Sequence, residues 1–300
     1  MKYIPEQSVF FLHIPKNAGK SVHAALDQYT ASYAAYAADL GISEIDAESM
    51  ALSKPRPDQA PGTFSAGLDL ANLGRVHPSH LPLFVLQQAC PQTWATLNNA
   101  AFSFAMTRDP RERFLSALMQ RMKEFGDAGA IRADDVAVKN EAEKVCAWLG
   151  ERERFADLEY VHFIRQSDFV EHEGKRVITD LFPVDRTDVL YKHLHDRTGL
   201  IAEVPRSHAR RQPKQWARAA QPIARFAARR LLTPRLKQMI YPIWTGSALF
   251  TDASKTYDAV DLGAATEAFL KEYYARDAAL HAEALAGAKA VDTSSEPENT

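Results

Sequence analysis

Twelve residues near the start of the chain, Phe10–Ser21 (FFLHIPKNAGKS), constrain its fold more than any other segment. An apolar run leads into a short loop that carries two lysines, a glycine and a hydroxyl, and apolar residues then recur at helical spacing. The predicted order is therefore strand, loop and helix, as found where a helix packs on a sheet. The amides at the start of such a helix, together with Lys16 and Lys20, form a site suited to an anion.

The loop shares only the end of the phosphate loop of nucleoside triphosphatases, whose pattern is G-x-x-x-x-G-K-[ST]. Gly19, Lys20 and Ser21 supply that end, but Ile14 stands where the first glycine belongs. Pro15 fixes the φ angle of one loop residue, which favours a tighter turn. The sequence thus predicts a smaller anion site than the one that cradles ATP, while a truncated ATP-binding loop remains open.

A second segment, Ala101–Ser116, predicts another strand followed by a helix. Its first half is apolar and typical of a buried strand, and the residues DPRE then supply a cap, a proline and an acidic residue as at a helix start. Arg108 is left at the carboxyl end of the strand, where open α/β sheets bind ligands. Ser116 lies about two turns into the helix, too far to cap it, and is free to meet the same ligand.

Together these segments resemble the two nucleotide-binding motifs of the sulfotransferases that use 3′-phosphoadenosine 5′-phosphosulfate (PAPS). The first, HIPKNAGKS, is similar to the pattern H-I-P-K-[TN]-A-G-[TK]-S of the branch that includes many carbohydrate sulfotransferases, and the second reads R-D-P-x-x-R-x-x-S. Three short segments extend the resemblance over most of the chain. They are His162–Gln166 (HFIRQ), Phe182–Thr187 (FPVDRT) and Phe269–Asp277, which resembles the closing Y-x-x-D helix of the family.

The resemblance implies roles for individual residues. The first motif would bind the 5′-phosphosulfate, and Lys16 would neutralise charge as the sulfuryl group leaves the phosphate. Arg108 and Ser116 would hold the 3′-phosphate that distinguishes PAPS from ATP. Lys20 stands where many relatives have threonine, so its role is less defined than that of Lys16. The implied nucleotide-binding residues are Lys16, Asn17, Ala18, Gly19, Lys20, Ser21, Val22, Arg108 and Ser116.

The resemblance also implies a histidine base between the two motifs, because an acceptor hydroxyl must lose its proton as it attacks sulfur. The segment Arg75–Leu83 (RVHPSHLPL) resembles the family segment written H-x-P. His80, which has a proline two positions on, fits that pattern better than His77, and both remain candidates. The predicted catalytic residues are thus His80, His77 and Lys16.

Composition favours one α/β domain, and apolar residues at helical spacing predict helices at Glu141–Leu149 and Phe155–Ile164 within it. The 300 residues are 46% hydrophobic and 25% charged with a net charge of −2, and no run approaches the roughly 20 apolar residues that span a bilayer. Cys90 and Cys146 suggest neither a metal site nor a disulfide framework. We therefore expect a cytoplasmic protein without a metal. The resemblance implies a three-layer α/β/α fold with a central, mainly parallel sheet of the P-loop-like type.

A basic segment stands out near the C-terminus. Val204–Phe250 contains ten Lys or Arg residues and no Asp or Glu, and part of it has the pattern of an amphipathic helix. The predicted organisation is one domain at 1–290, with a basic helical insertion or lid at 204–260, and a disordered tail at 291–300. Three roles remain open for the basic segment: a solvated helical face, a lid over an anionic ligand, and peripheral contact with the inner membrane through 204–237. One basic stretch without a recognised motif does not predict nucleic-acid binding.

The expected reaction is in-line transfer of a sulfuryl group from PAPS to a hydroxyl of a carbohydrate, lipid or small metabolite. Two alternatives remain. One is a small-molecule kinase that uses ATP and Mg²⁺ through Gly19-Lys20-Ser21, although a kinase needs a carboxylate at a strand end, where this chain has Arg108. The other is a non-catalytic relative that binds anionic partners through residues 204–250.

Overall fold

The structure, a computed structural model, describes residues 1–54, 67–70, 74–125, 136–202, 211–213, 250–252 and 260–293, and it is mixed α/β. The described strands are β1 (Lys2–Ile4), β2 (Val9–Phe11), β3 (Leu68–Leu70), β4 (Gly74–Val76), β5 (Phe102–Thr107), β6 (Glu171–His172), β7 (Lys175–Arg176), β8 (Asp180–Pro183), β9 (Arg211–Pro213) and β10 (Phe250–Asp252).

The helices cover the following described residues: α1 (Gly19–Ala25), α2 (Ala34–Leu40), α3 (Glu44–Leu52), α4 (Leu83–Ala89), α5 (Pro91–Asn99), α6 (Pro110–Phe125), α7 (Val136–Gly150), α8 (Ser167–Val170), α9 (Thr187–Thr198), α10 (Ala264–Tyr273) and α11 (Ala275–Thr293). Short 3₁₀ helices cover Val161–Phe163 and Val184–Arg186. None of these described helices has both the length and the apolar character that crossing a bilayer requires.

Four strands form the main sheet in the order β1-β2-β5-β8. β1 and β2 form an antiparallel hairpin, whereas β5 lies parallel to both of its neighbours. Phe104 of β5 lies opposite Phe11 of β2, and Met106 lies opposite Phe182 of β8. The sheet is therefore mixed, with a parallel part in which β2 and β5 end at the same edge.

The sheet is covered by apolar side chains on both faces. Successive residues of a strand point to opposite faces. Phe11 and Phe104 belong to a cluster that includes residues of α1 and α9, while Phe10 and Ala105 belong to one that includes residues of α2 to α5. All six residues of β5 are buried, as expected for a central strand between two layers of side chains.

Both predicted strand–helix units are confirmed. β2 ends at Phe11 and α1 begins at Gly19, while β5 ends at Thr107 and α6 begins at Pro110. The backbone amide of Glu112 donates to Oδ1 of Asp109 at 3.0 Å. Since a carboxylate oxygen that accepts from the third helical residue is a side-chain cap, the predicted helix start has the geometry that its sequence indicates.

The helical pattern at residues 155–164 does not form an α-helix, so that prediction is wrong. The segment consists of turns and one 3₁₀ helix at Val161–Phe163. Oδ1 of Asp157 accepts from the backbone amides of Glu159 and Tyr160 at 2.9 and 3.2 Å. Such local side-chain bonds compete with helical backbone bonds, which explains the outcome.

The late helix predicted at Phe269–Asp277 is divided between α10 and α11. Tyr274 lies at the break, where its buried hydroxyl donates to the backbone carbonyl of Phe163 at 2.8 Å. This bond attaches the end of α10 to the segment that precedes α8. The Y-x-x-D residues therefore belong to a bend between two helices rather than to one continuous helix.

The chain divides into two compact units, Met1–Pro205 with Leu262–Thr300 and Arg206–Asp261. The smaller unit begins two residues later and ends one residue later than the 204–260 predicted for the basic insertion, and its described strands β9 and β10 pair antiparallel. Most of 204–260, including the amphipathic pattern and the predicted membrane contact through 204–237, lies outside the described residues. The last helix ends at Thr293, three residues into the tail predicted to be disordered, and 294–300 also lie outside the described residues.

Candidate functional site

The loop between β2 and α1 has a left-handed backbone at two residues that are not glycine. Lys16 and Ala18 have φ angles of 70° and 58°, which are uncommon for residues with a Cβ. Among the described residues, the backbone amides of Ala18, Gly19 and Lys20 donate to no acceptor, whereas the next two amides donate to the Ala18 carbonyl. The start of α1 therefore offers three donors to a ligand, as a phosphate-binding loop does.

Gly19 is needed because an imidazole packs against its α-carbon. A Cβ built on Gly19 would lie 2.0 Å from both Cδ2 and Nε2 of His13. A real Cβ does not tolerate such a distance, so any other residue would displace the ring. His13, at the end of β2, is thus part of the loop structure.

The predicted nucleotide-binding residues of the loop divide into exposed and buried groups. Lys20 and Ala18 are exposed and Ser21 is half-buried, while Asn17 and Val22 are buried. The half-buried Lys16 donates from Nζ to Oε1 of Gln120 on α6. Lysine and hydroxyl groups thus reach the surface, and Asn17 and Val22 support the loop from within. The predicted ligand contacts of these two residues stay a prediction.

A buried hydrogen-bond network joins this loop to the end of β5. Nδ2 of Asn17 donates to the Met106 carbonyl at 2.7 Å and to Oε1 of Gln166 at 2.6 Å. Gln166 also accepts from the Arg108 amide at 3.0 Å, and its Nε2 donates to the Arg108 carbonyl at 2.9 Å. Gln166 is fully buried, and these hydrogen bonds hold the loop and the carboxyl end of β5 in one arrangement.

The last helix fixes Gln166 through its backbone. The buried carboxylate of Asp277 accepts from the amides of Gln166 and Ser167 at 2.7 and 2.9 Å. Burial raises the pKa of Asp277, while the Arg113 guanidinium and the two amides oppose that rise. The HFIRQ segment and the Y-x-x-D residues, which are weak signals in the sequence, therefore meet at the first loop.

Arg108 lies at the carboxyl end of β5, as predicted, but its side chain is already paired. Its Nη2 and Nε lie 3.0 and 3.1 Å from Oε2 of Glu112. Ser116 is buried in α6, and its hydroxyl forms no hydrogen bond with any described residue. No hydrogen bond joins Arg108 to Ser116, so their shared contact with a 3′-phosphate stays a prediction. An anion at Arg108 would compete with Glu112.

Arg113, one turn into α6, is a buried cation beneath the loop. It is 2% exposed, and its Nε donates to the Pro15 carbonyl at 3.1 Å. Its Nη2 is buried without a hydrogen-bond partner. Burial lowers the pKa of Arg113, and the nearby Tyr274 and Asp277 oppose that shift. The sequence motif contains this arginine but predicts no role for it.

Five histidines form a cluster beside the loop. His77 and His80 stack with ring centroids 4.4 Å apart, and His162 lies 5.5 Å from His80. His13 lies 4.8 Å from His80 and 5.3 Å from His23. The sequence predicts His77 and His80 here but assigns no role to the others. The positions of these three histidines in the sequence could have indicated that they belong to the cluster, because His13 and His23 flank the loop and His162 begins the HFIRQ segment.

Burial disfavours the charged form of all five imidazoles. It lowers the pKa of His77 to about 4, and that of His162 to about 3 with a contribution from the charge of Lys16. It lowers the pKa of the other three histidines well below its usual value: His13, His23 and His80. At neutral pH the cluster is therefore uncharged, which is the form in which a histidine accepts a proton.

Hydrogen bonds distinguish His77 from His80. Nδ1 of His77 lies 3.0 Å from the Ser79 hydroxyl and 3.4 Å from the Ser79 amide. Because Ser53 donates to the Ser79 hydroxyl at 2.7 Å, Ser79 is free to donate to Nδ1, and neutral His77 then carries its proton on Nε2. Nδ1 of His80 is buried without a partner, so no hydrogen bond at that atom fixes its tautomer.

The described part of the chain contains no group of three or more His, Cys, Asp or Glu side chains arranged as a metal site. Comparison of the sequence and structure with protein-family models, curated proteins and solved structures finds no match. The resemblance to sulfotransferases rests on the motifs quoted above.

Proposed function

We propose that the protein is a sulfotransferase that moves a sulfuryl group from PAPS to a hydroxyl group of an acceptor. The observation that carries this proposal is the meeting of separate motif segments at one edge of the sheet. Asn17 of the first motif bonds Gln166 of HFIRQ, which bonds the backbone of Arg108 in the second motif, and Asp277 of the last segment bonds the backbone of Gln166. A resemblance by chance would not require these distant segments to be neighbours.

The fold supports the same proposal. In the expected three-layer, P-loop-like arrangement, the donor lies at the carboxyl ends of parallel strands. β2 and β5 are parallel and end beside the loop and Arg108. Apolar clusters on both faces of the sheet fit a layer of helices on each side.

The proposed reaction is a displacement at sulfur. The acceptor hydroxyl gives its proton to His80 and its oxygen bonds to sulfur, while the bond from sulfur to the bridging phosphate oxygen breaks. The electron pair of that bond stays on the phosphate, which leaves as 3′-phosphoadenosine 5′-phosphate (PAP). Lys16 and the three amides stabilise the charge that develops there, and a single well-placed donor of this kind is worth on the order of 3 kcal/mol.

His80 is preferred over His77 as the base on the pattern of hydrogen bonds. The Ser79 contacts occupy Nδ1 of His77 and put its proton on Nε2. His80 can hold its proton on Nδ1 and accept another on Nε2.

Replacement of His80 with alanine is expected to reduce sulfuryl transfer by about 10²-fold or more with PAP affinity nearly unchanged. The assay incubates radiolabelled PAPS with a panel of hydroxyl acceptors, and full activity in His80→Ala would transfer the role to His77.

PAP binding tests the donor site. Calorimetry on the wild type, Lys16→Ala and the control Lys192→Ala compares a loop lysine with an exposed lysine paired to Asp196 on α9. We expect Lys16→Ala to weaken PAP binding about tenfold or more, because it removes a charged partner of the phosphate, and Lys192→Ala to leave it unchanged. Failure of the folded wild type to bind PAP would overturn the proposal.

The same titrations separate the proposal from its alternatives. A kinase would bind ATP with Mg²⁺ more tightly than PAP and would lose that affinity when the metal is chelated. A non-catalytic relative would bind PAP but transfer sulfate to none of the acceptors.

A further inference from the structure

Arg113 is a buried charged residue that forms no direct ion pair with a described carboxylate, although the charge of Asp277 is near enough to oppose the lowering of its pKa by burial. Among the described residues it forms one hydrogen bond, from Nε to the Pro15 carbonyl, and no ion pair. Its Nη2 has no partner at all. A buried charge that is not paired costs more free energy than an apolar side chain of the same size, so packing alone does not account for an arginine here.

The bond to Pro15 acts on the backbone of Lys16. All described peptide bonds are trans, so the Pro15 carbonyl and the Lys16 amide share one plane and point in opposite directions. Fixing the carbonyl therefore fixes the amide. The next dihedral angle is the left-handed φ of Lys16, at 70°, which needs support from its surroundings.

A second contact from the same helix reaches the same lysine. Gln120 accepts from Nζ of Lys16, and it lies seven residues after Arg113, on the same face of α6. Two residues on one face of α6 thus act on Lys16. Arg113 holds the peptide that precedes Lys16, and Gln120 holds the end of the Lys16 side chain. The two contacts define both the backbone and the direction of the lysine.

We propose that Arg113 is a positioning residue for the anion-binding loop. It holds the Pro15–Lys16 peptide so that Lys16 and the free amides face the ligand, and its charge favours an anion above the loop without touching it. This inference rests on the proposed function, since the anion is the phosphate of PAPS. It assigns the second arginine of R-D-P-x-x-R-x-x-S to the shape of the loop rather than to the 3′-phosphate.

The test compares Arg113→Gln and Arg113→Lys with the control Arg111→Gln. Arg111 lies on the same helix and pairs with Glu267, with Nη2 and Oε1 2.7 Å apart. Each variant is checked for folding by thermal melting. Hydrogen–deuterium exchange of the peptide covering residues 10–21 is measured without ligand, and PAP affinity is measured by calorimetry.

Arg113→Gln is expected to exchange faster in residues 10–21 than elsewhere and to bind PAP about tenfold to a hundredfold more weakly, because a charge-assisted hydrogen bond is lost. Arg113→Lys keeps the charge and is expected to recover part of the affinity, while its loop still exchanges faster. Arg111→Gln should change neither measurement.

Three outcomes overturn the inference: a folded Arg113→Gln whose loop exchanges like the wild type, exchange that rises equally over the whole chain, and PAP affinity in Arg113→Gln within twofold of the wild type. Equal PAP affinities for Arg113→Lys and Arg113→Gln would overturn the role of the charge. A wild type that does not bind PAP would instead overturn the proposed function. The exchange comparison would still decide whether Arg113 holds the loop.

Discussion

The contact between His13 and Gly19 makes a single residue decisive for the loop. The ring occupies the space that a Cβ on Gly19 would need, so a larger residue must move either the imidazole or the start of α1. Because His13 also touches His80, such a movement reaches the proposed base. The loop and the histidine cluster are therefore one packed unit.

Gly19→Ala is expected to lower the free energy of unfolding by about 1 to 3 kcal/mol, because the added methyl group overpacks the site. Gly287→Ala is a matched control, since nothing lies within 4 Å of a Cβ at that helical position. It should raise stability by about 0.5 to 1 kcal/mol, because alanine favours a helix. Urea unfolding measures both variants, and equal effects of the two would contradict the contact with His13.

At the scale of the elements, α11 stabilises the loop through α8. The Asp277 carboxylate accepts hydrogen bonds from two backbone amides at the start of α8. Gln166 in turn forms hydrogen bonds with Asn17 and with the end of β5. The elements that form the site are thus connected in series. Loss of one of these hydrogen bonds should therefore weaken the next one.

Asp277→Ala is expected to destabilise the protein by about 2 to 4 kcal/mol, because it leaves one buried and one partly buried amide without acceptors and removes a negative charge near Arg113. Asp196→Ala, which removes an exposed ion pair with Lys192, should cost no more than about 0.5 kcal/mol. Chemical denaturation of both variants checks the difference. Similar losses in the two would mean that Asp277 does not support α8 as described.

The local elements could be predicted from sequence, and the long-range contacts could not. The spacing of apolar residues after Ser21 and the cap at Asp109 are local patterns, and both were realised. The pairing of Arg108 with Glu112 is also local, four residues apart, and could have been anticipated. By contrast, Asn17 and Gln166 are 149 positions apart, and no periodicity in the chain connects them.

The predicted helix at 155–164 failed for a different reason. Its apolar spacing resembles that of a helix, but the Asp157 side chain accepts hydrogen bonds from two backbone amides that would donate to backbone carbonyls in a helix. The histidine cluster was missed in part because its members come from four regions of the chain. Only their positions beside the quoted motifs could have indicated that they meet.

For the whole molecule, the five clustered histidines, which are buried or half-buried, imply a stability that depends on pH. The unfolded chain binds protons at these residues below about pH 6.5, whereas the folded protein does not until the pH falls to about 4 for His77 and about 3 for His162. Since the unfolded state then holds more protons, the free energy of unfolding falls as the pH decreases from 6.5 to 4.

His23→Leu is expected to reduce this pH dependence. Both ring nitrogens of His23 are buried without partners, so leucine removes an unsatisfied polar group and one site of protonation in the unfolded chain. The variant should be at least as stable as the wild type at pH 7.5 and clearly more stable at pH 5. Urea unfolding at the two pH values gives the comparison, and an unchanged difference between them would contradict the role of His23.

Asp277 leaves the ribosome after every other residue of the site. When α9 has been made, the nascent chain already holds the loop, Arg108 and Gln166, but the carboxylate that fixes Gln166 is still absent. Translation from Thr198 to Asp277 takes on the order of ten seconds at ordinary rates. Throughout that interval the site is incomplete, and a chain released early carries the loop and the Arg108 segment without the residue that fixes Gln166 between them.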